Sequence, residues 1–251
     1  MHVISFIGQP LSAHTQNSLV APMNLILFML HNHSPPGFYV DVGANHPTRS
    51  SLTHRLDLGG WRGVCAEPNA ALAVLYTGRR NCSLERRVVG DGKLARFVQE
   101  ANDELSGLVM QGAEHENAGG RVVQTVRLEQ SLRERGAPAR IDFLTVDVEG
   151  ADEAVVSDEL LEAFRFDFVL IERPHSQTAT RLFAHEYLFS QHIFFDSLFV
   201  HSLSPRAAVV ANNDTYSQLP SRCRSPSSGK WLGRKQVPGP CRSAFGCCHP
   251  A

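Results

Sequence analysis

The stretch GFYVDVGANHPTRSS, residues 37–51, decides how the rest of the chain is read. Apolar residues lead up to Asp41, small residues follow at Gly43 and Ala44, and Asn45 precedes a run of hydroxyls. A strand that passes through a tight turn into a helix has this profile, and a glycine at position 43 permits close backbone approach. A helix beginning near Ser50 would aim free N–H groups at the anionic end of a ligand. In open parallel sheets ligands bind outside the carboxyl ends of the strands, which is where Asp41 and Gly43 would lie.

Working outward, strand-like and helix-like segments alternate from residue 38 to 213, the pattern of a mostly parallel sheet covered on both faces. Further strands are expected at 63–68, 83–90, 141–148, 166–172, 193–200 and 207–212, making seven with the first. Several are near-continuous apolar runs, as strands buried on both faces require. Helices are expected at 50–58, 70–79 behind an Asn69 cap, 129–135, 152–164, and 177–190 behind a Ser176 cap. Residues 91–120 break the rhythm. They read as an excursion over a site, with a short strand pair around ARFVQE and VVQTVRL. The expected division is a helical or irregular extension over 1–36, an α/β domain over 37–213, and a disordered Ser/Pro/Arg/Cys-rich tail over 214–251.

Composition narrows the function classes. A chain of 251 residues buries one sizeable core. With 24 basic against 25 acidic residues, it carries no global field to attract nucleic acid or an anionic membrane. The apolar run at 18–30 is interrupted by Pro22 and Asn24 and is too short to span a bilayer, so a core helix is expected there. The first ten residues lack the features of a secretory signal, which sets a cytoplasmic, reducing compartment as the expectation. Cys65 and Cys82 accordingly read as buried small hydrophobes. Cys223, Cys241, Cys247 and Cys248, with His249, fit no common zinc finger. Nothing in the composition sets an oligomeric state.

The chemistry is expected at the strand ends, where a run of acids gathers: Asp41, Glu67 followed by Pro68, Gly90 with Asp91, Asp147 with Glu149, and Glu172. Glu67 lies about 26 residues beyond Asp41, near the interval at which an acid ending the second strand accepts bonds from ribose hydroxyls. The turn lacks the three spaced glycines that let a pyrophosphate lie against a helix. A ligand with adenosine and no phosphates fits better. S-adenosyl-L-methionine supplies a ribose diol, a carboxylate, and cationic groups that tolerate Asp41 and Asp147.

The blocks GFYVDVGANHPTRSSLTHRLDLGGWRGVCAEPN, IDFLTVDVEGAD and FVLIE together resemble the FkbM family of S-adenosylmethionine-dependent methyltransferases, in order and spacing over roughly residues 38–200. The resemblance implies a class I methyltransferase fold: a Rossmann-like three-layer α/β sandwich on a seven-stranded, mostly parallel sheet whose last strand runs antiparallel. It also implies methyl transfer, usually to the oxygen of a small-molecule or sugar hydroxyl. Asp41, Gly43, Ala44 and Asn45 would form the cofactor turn, Glu67 beside Pro68 would hold the ribose, and Gly90 with Asp91 would lie near the adenine. Asp147 and Glu149 would face the methionine end and the acceptor. Pro47 stands where the family usually has glycine.

Each of these residues has a plainer reading. Asp41 caps turns in many proteins, Glu67-Pro68 stops a strand, and Gly90-Asp91-Gly92 makes a common turn, the reading favoured for that segment. For catalysis, in-line methyl transfer depends mainly on proximity, and a base is needed only for a poor nucleophile. Asp147, Glu149 and His175 are the candidates. A surface-loop role is the commoner one for a histidine in a chain with twelve. A divalent cation on Asp147, Glu149 and Glu172 is the minority reading, since three acids spaced along a chain do not establish convergence. Two rivals stand beside the methyltransferase: a nicotinamide-dependent oxidoreductase on a similar sheet, and a catalytically silent module that keeps the fold and the cofactor.

Overall fold

The computed structural model describes residues 25, 26, 29, 30, 35–98, 107–109, 120–193 and 195–205. The strand expected at 207–212, the tail with its four cysteines, and most of the helix expected at 18–30 lie outside the described residues. The described chain runs β1 (Phe38–Val42), α1 (His54–Leu58), β2 (Arg62–Ala66), α2 (Ala70–Ala73), β3 (Cys82–Glu85), β4 (Leu94–Val98), β5 (Gly107–Val109) and β6 (Arg121–Gln124). It continues through α3 (Leu128–Glu134), β7 (Arg140–Val146), α4 (Asp152–Val155), α5 (Asp158–Ala163), β8 (Arg165–Glu172), α6 (Ser176–Ala184), β9 (Tyr187–Ile193) and β10 (Asp196–His201).

Seven strands form one sheet in the order β3-β2-β1-β7-β8-β10-β9. The pairs β3-β2, β2-β1, β1-β7 and β7-β8 are parallel, whereas β10 runs antiparallel to both β8 and β9. The order reverses direction between β1 and β7, and the strand ends splay a crevice there. Alternation along the strands divides the core in two. Val40, Val42, Leu144, Val146, Val169 and Ile171 face one way, against Leu128, Leu132, Leu160 and Leu182. Tyr39, Cys65, Phe143, Phe168 and Leu170 face the other, against Leu25, Ile26, Met29, Leu56 and Trp61. Asp41, two residues beyond Tyr39, therefore turns toward the second face.

Several expected elements change. The helix expected at 50–58 starts only at His54, because Ser50 turns the chain at φ +56° and Arg80 draws in the Ser51 and Thr53 hydroxyls. The helix expected at 70–79 keeps its cap, Asn69 accepting from the Ala71 amide at 3.0 Å, but gives way to a 3-10 turn over Val74–Tyr76. The helix expected at 152–164 breaks at Val156, and Ser157 caps a new one by accepting from the Leu160 amide at 3.1 Å.

The largest correction concerns residues 177–200. The helix expected to reach 190 ends at Ala184, and Glu186, at φ +66°, turns the chain into the unexpected strand β9. The expected strand over 193–200 is then a hairpin: Asp196 pairs with Ile193, and only Asp196–His201 forms β10. The strand expected at 83–90 stops at Glu85, with Val89 making an isolated bridge to Val126.

The strand pair expected in the excursion is present: β4 pairs antiparallel with β6, Leu94 opposite Gln124 and Phe97 opposite Arg121. A third strand, β5, pairs on the other side of β4. Cys65 and Cys82, expected as separate buried thiols, are joined by a disulfide between β2 and β3. Disulfides persist in oxidising compartments and are rare in the cytosol, which sets this bond against the reducing compartment expected from the sequence.

Candidate active site

A cavity of about 440 Å³ opens along the carboxyl ends of the parallel strands. This is within the size range of small-ligand sites. Its wall passes from Val88 and Val89 after β3, through Ala66, Glu67 and Pro68 at β2 and Asp41 to Asn45 at β1. It continues to Thr145, Asp147 and Glu149 after β7, Glu172 and Arg173 at β8, and Phe195 and Asp196 at the β9–β10 turn. Phe97 of β4 and Leu108 of β5 also line it, so the small sheet does cover the site.

On the β1–β2 side the acids and the first amides of the turn are held. Glu67 is 6% exposed, and its two carboxylate oxygens accept from the Asn45 amide at 2.8 Å and the Asn69 amide at 2.7 Å. It thereby ties the tip of β2 to the turn after β1. Gly43 and Ala44 both donate to the Ala66 carbonyl at 3.1 Å. At φ +80° a Cβ on Gly43 would lie 1.7 Å from the Asp147 carbonyl oxygen, so glycine is required there by the approach of two strand ends. Tyr76 donates its hydroxyl to the Asn45 carbonyl at 2.8 Å.

Behind this turn sits Arg80, whose side chain is fully buried. It is paired with Asp57 and donates to the Tyr39 hydroxyl at 3.0 Å, the Thr53 hydroxyl at 2.6 Å and the Pro47 carbonyl at 3.1 Å. Thr53 in turn donates to Asp41, which is 7% exposed. Burial raises the Asp41 carboxyl above its ordinary value, against the opposing pull of Arg80 and Thr53.

The β7–β8 side is different. The chain leaves β7 at Val146, and Glu149 at φ +47° with Gly150 at φ +86° folds it back. Strand alternation therefore no longer separates Asp147 from Glu149. A carboxylate oxygen from each of Asp147, Glu149 and Glu172 lies within 4.8 Å of the other two. Depth in the cleft, then the hydrogen bond and charge of Glu172, then Glu149 and Asp196 push the Asp147 carboxyl well above the usual carboxylate range. The side chain is open to water through the cleft, which tempers the effect of depth while leaving the crowding of like charges. Burial and Glu172 also raise Glu149, and push Asp196 up to about 6. Oxygen donors converging in this way suit a hard divalent cation as well as a hydrogen-bonding acceptor.

The structure thus brings Asp41, Gly43, Ala44, Asn45, Glu67, Pro68, Asp147 and Glu149 to one cavity. It does not bring three others there. Gly90 and Asp91 form a turn beside the small sheet, Gly90 donating to the Val126 carbonyl and Asp91 pairing with Lys93 at 2.8 Å, while Val88 and Val89 take the cavity wall. His175 caps α6 outside the cavity. Its Nδ1 lies 2.6 Å from Asp152, a contact that raises its pKa. The amides of Gly43, Ala44, Asn45, His46, Thr48 and Arg49 all donate within the protein, and those of Ser50, Ser51 and Leu52, which also line the cavity, have no such bond among the described residues.

Sequence reasoning missed Arg80, Thr53 and Asp57 behind the turn, and Asp196, Arg173 and Phe195 at the far end. A buried arginine has no local signature. Asp196 was hidden inside a segment read as one continuous strand.

A seven-stranded sheet in this order, with its one antiparallel strand at β10 and a cavity at the switch point, defines a class I methyltransferase-like α/β fold. The sequence matches the Methyltransferase FkbM domain over residues 41–197, more than half of the chain, and the protein belongs to that family. It is a methyltransferase, and the family implies a methyl donor. No curated protein matches the sequence. No described helix is long and apolar enough to cross a membrane.

Proposed function

We propose that the protein is an S-adenosyl-L-methionine-dependent O-methyltransferase acting on a small-molecule or sugar hydroxyl. The observation that carries this reading is the pairing of Asp41 and Glu67 on adjacent strand tips, both lining one open cavity whose far end is acidic. Glu67 is already oriented by two backbone amides on the cavity wall, where a carboxylate can accept from a ribose diol. Val88 and Val89 offer an apolar wall to an adenine. When bound, S-adenosyl-L-methionine supplies an electrophilic methyl group on a sulfonium.

Asp147 and Glu149, joined by Glu172, form the acceptor end, beneath Phe97 and Leu108. Crowding raises the Asp147 carboxyl, so the cluster of three acids holds a proton to higher pH than isolated acids do, and one of its carboxylates takes the proton that an acceptor hydroxyl sheds. The reading assigns no contact to His175, Gly90 or Asp91.

Calorimetry tests the cofactor half. The wild-type chain binds S-adenosylhomocysteine, and Glu67→Ala weakens it by about 1–3 kcal/mol through lost charge-assisted bonds. Unchanged affinity in that variant removes Glu67 from the site. Release of S-adenosylhomocysteine with hydroxylated acceptors tests the transfer half, and binding without turnover across them points to a silent module.

A further inference from the structure

We propose that Arg49 binds the carboxylate of the cofactor's amino-acid end and so makes the site selective for a carboxylate-bearing methyl donor. This rests on the S-adenosyl-L-methionine reading above. An anion at the turn after β1 needs donors, and the six amides from Gly43 to Arg49 are spent on Ala66, Glu67, Asn45 and His46, which leaves the amides of Ser50 to Leu52 and the side chains of the lining. Two arginines line the cavity. Arg173 is committed: it pairs with Glu172 at 3.2 Å and lies 4.3 Å over the Phe195 ring. The guanidinium of Arg49 makes no ion pair or hydrogen bond among the described residues, while its backbone amide is fixed to His46 Nδ1 at 2.9 Å.

The loop that carries Arg49 is mounted rather than loose. Arg80 reaches from behind to the Pro47 carbonyl at 3.1 Å and the Ser51 hydroxyl at 3.3 Å, two residues to either side of Arg49. Ser50, at φ +56°, turns the chain between them. A cation held on a braced loop loses little freedom when it captures an anion, which favours binding. In a cavity otherwise rich in carboxylates, it is also what makes an anionic group welcome at this end. A guanidinium meets a carboxylate through two parallel N–H bonds, a geometry that a single ammonium does not reproduce.

The test compares S-adenosyl-L-methionine with its decarboxylated analogue, which differs only at that group, by calorimetry on the full chain. Wild type prefers the carboxylate-bearing compound by roughly 10- to 100-fold. Arg49→Gln abolishes the preference while leaving affinity for the decarboxylated compound unchanged, and Arg49→Lys restores part of it. Equal weakening of both compounds by Arg49→Gln, or no weakening of either, overturns the assignment while leaving the cofactor reading intact. Wild type binding neither compound overturns the cofactor reading and this inference with it.

Discussion

The two halves of the cavity handle charge in opposite ways. On the β1–β2 side, Glu67 is satisfied by two amides, Asp41 by Thr53, and Asp57 by the fully buried Arg80. On the β7–β8 side, Asp147, Glu149, Glu172 and Asp196 crowd together with Arg173 as the cation beside them. The first half is built to keep one shape with or without ligand, so binding costs it little reorganisation. The second stores like-charge repulsion, which a bound acceptor or cation relieves. Preorganisation on one side and unrelieved charge on the other is the division expected between holding a cofactor and handling a proton.

The comparison can be broken first at Arg80. Arg80→Met strands Asp57 without its partner in a buried network, and unfolding in urea should show a loss of about 3–5 kcal/mol. If stability is unchanged, the first half is not held together by its charges. Next comes the bond between β2 and β3. Cys82→Ser opens the link to Cys65, which closes a loop with a sequence separation of 17. A loop of that size predicts a loss of about 3 kcal/mol, measured as a lower urea midpoint that added reductant reproduces in wild type.

The smallest effect sharpens the second half. Asp147 holds its proton to higher pH folded than unfolded, so its contribution is full below the ordinary carboxylate value and falls as pH rises toward the raised one. Asp147→Asn should match wild type in thermal unfolding at about pH 4 and exceed it by about 2 °C at about pH 8. A variant less stable than wild type at the higher pH would mean that the acids are relieved by something other than protonation.

Legibility followed the range of the interactions. The strands β1, β2, β7 and β8 were readable because their apolar runs are local and mostly buried. The strand β9 was not, because YLFSQHI carries no strong preference and becomes a strand only by pairing with β10. Likewise the helix expected from Ser50 lost its first turn to Arg80, a residue 30 positions downstream that gathers Pro47, Ser51 and Thr53. Glu67 was legible because its spacing from Asp41 reflects one β-α-β unit. Asp196 and Arg173 were not, since nothing near them in the chain marks a cavity.

By itself the sequence determined the α/β class, the family, and the acids that end β1, β2 and β7, because side-chain alternation and strand-terminal residues are written locally. Only the tertiary structure decided which of those acids are quenched and which converge, that the amides from Gly43 to Arg49 are already spent, and that the Arg49 guanidinium has no ion pair or hydrogen bond among the described residues. Those outcomes depend on distances between segments far apart in the chain, which no local pattern encodes.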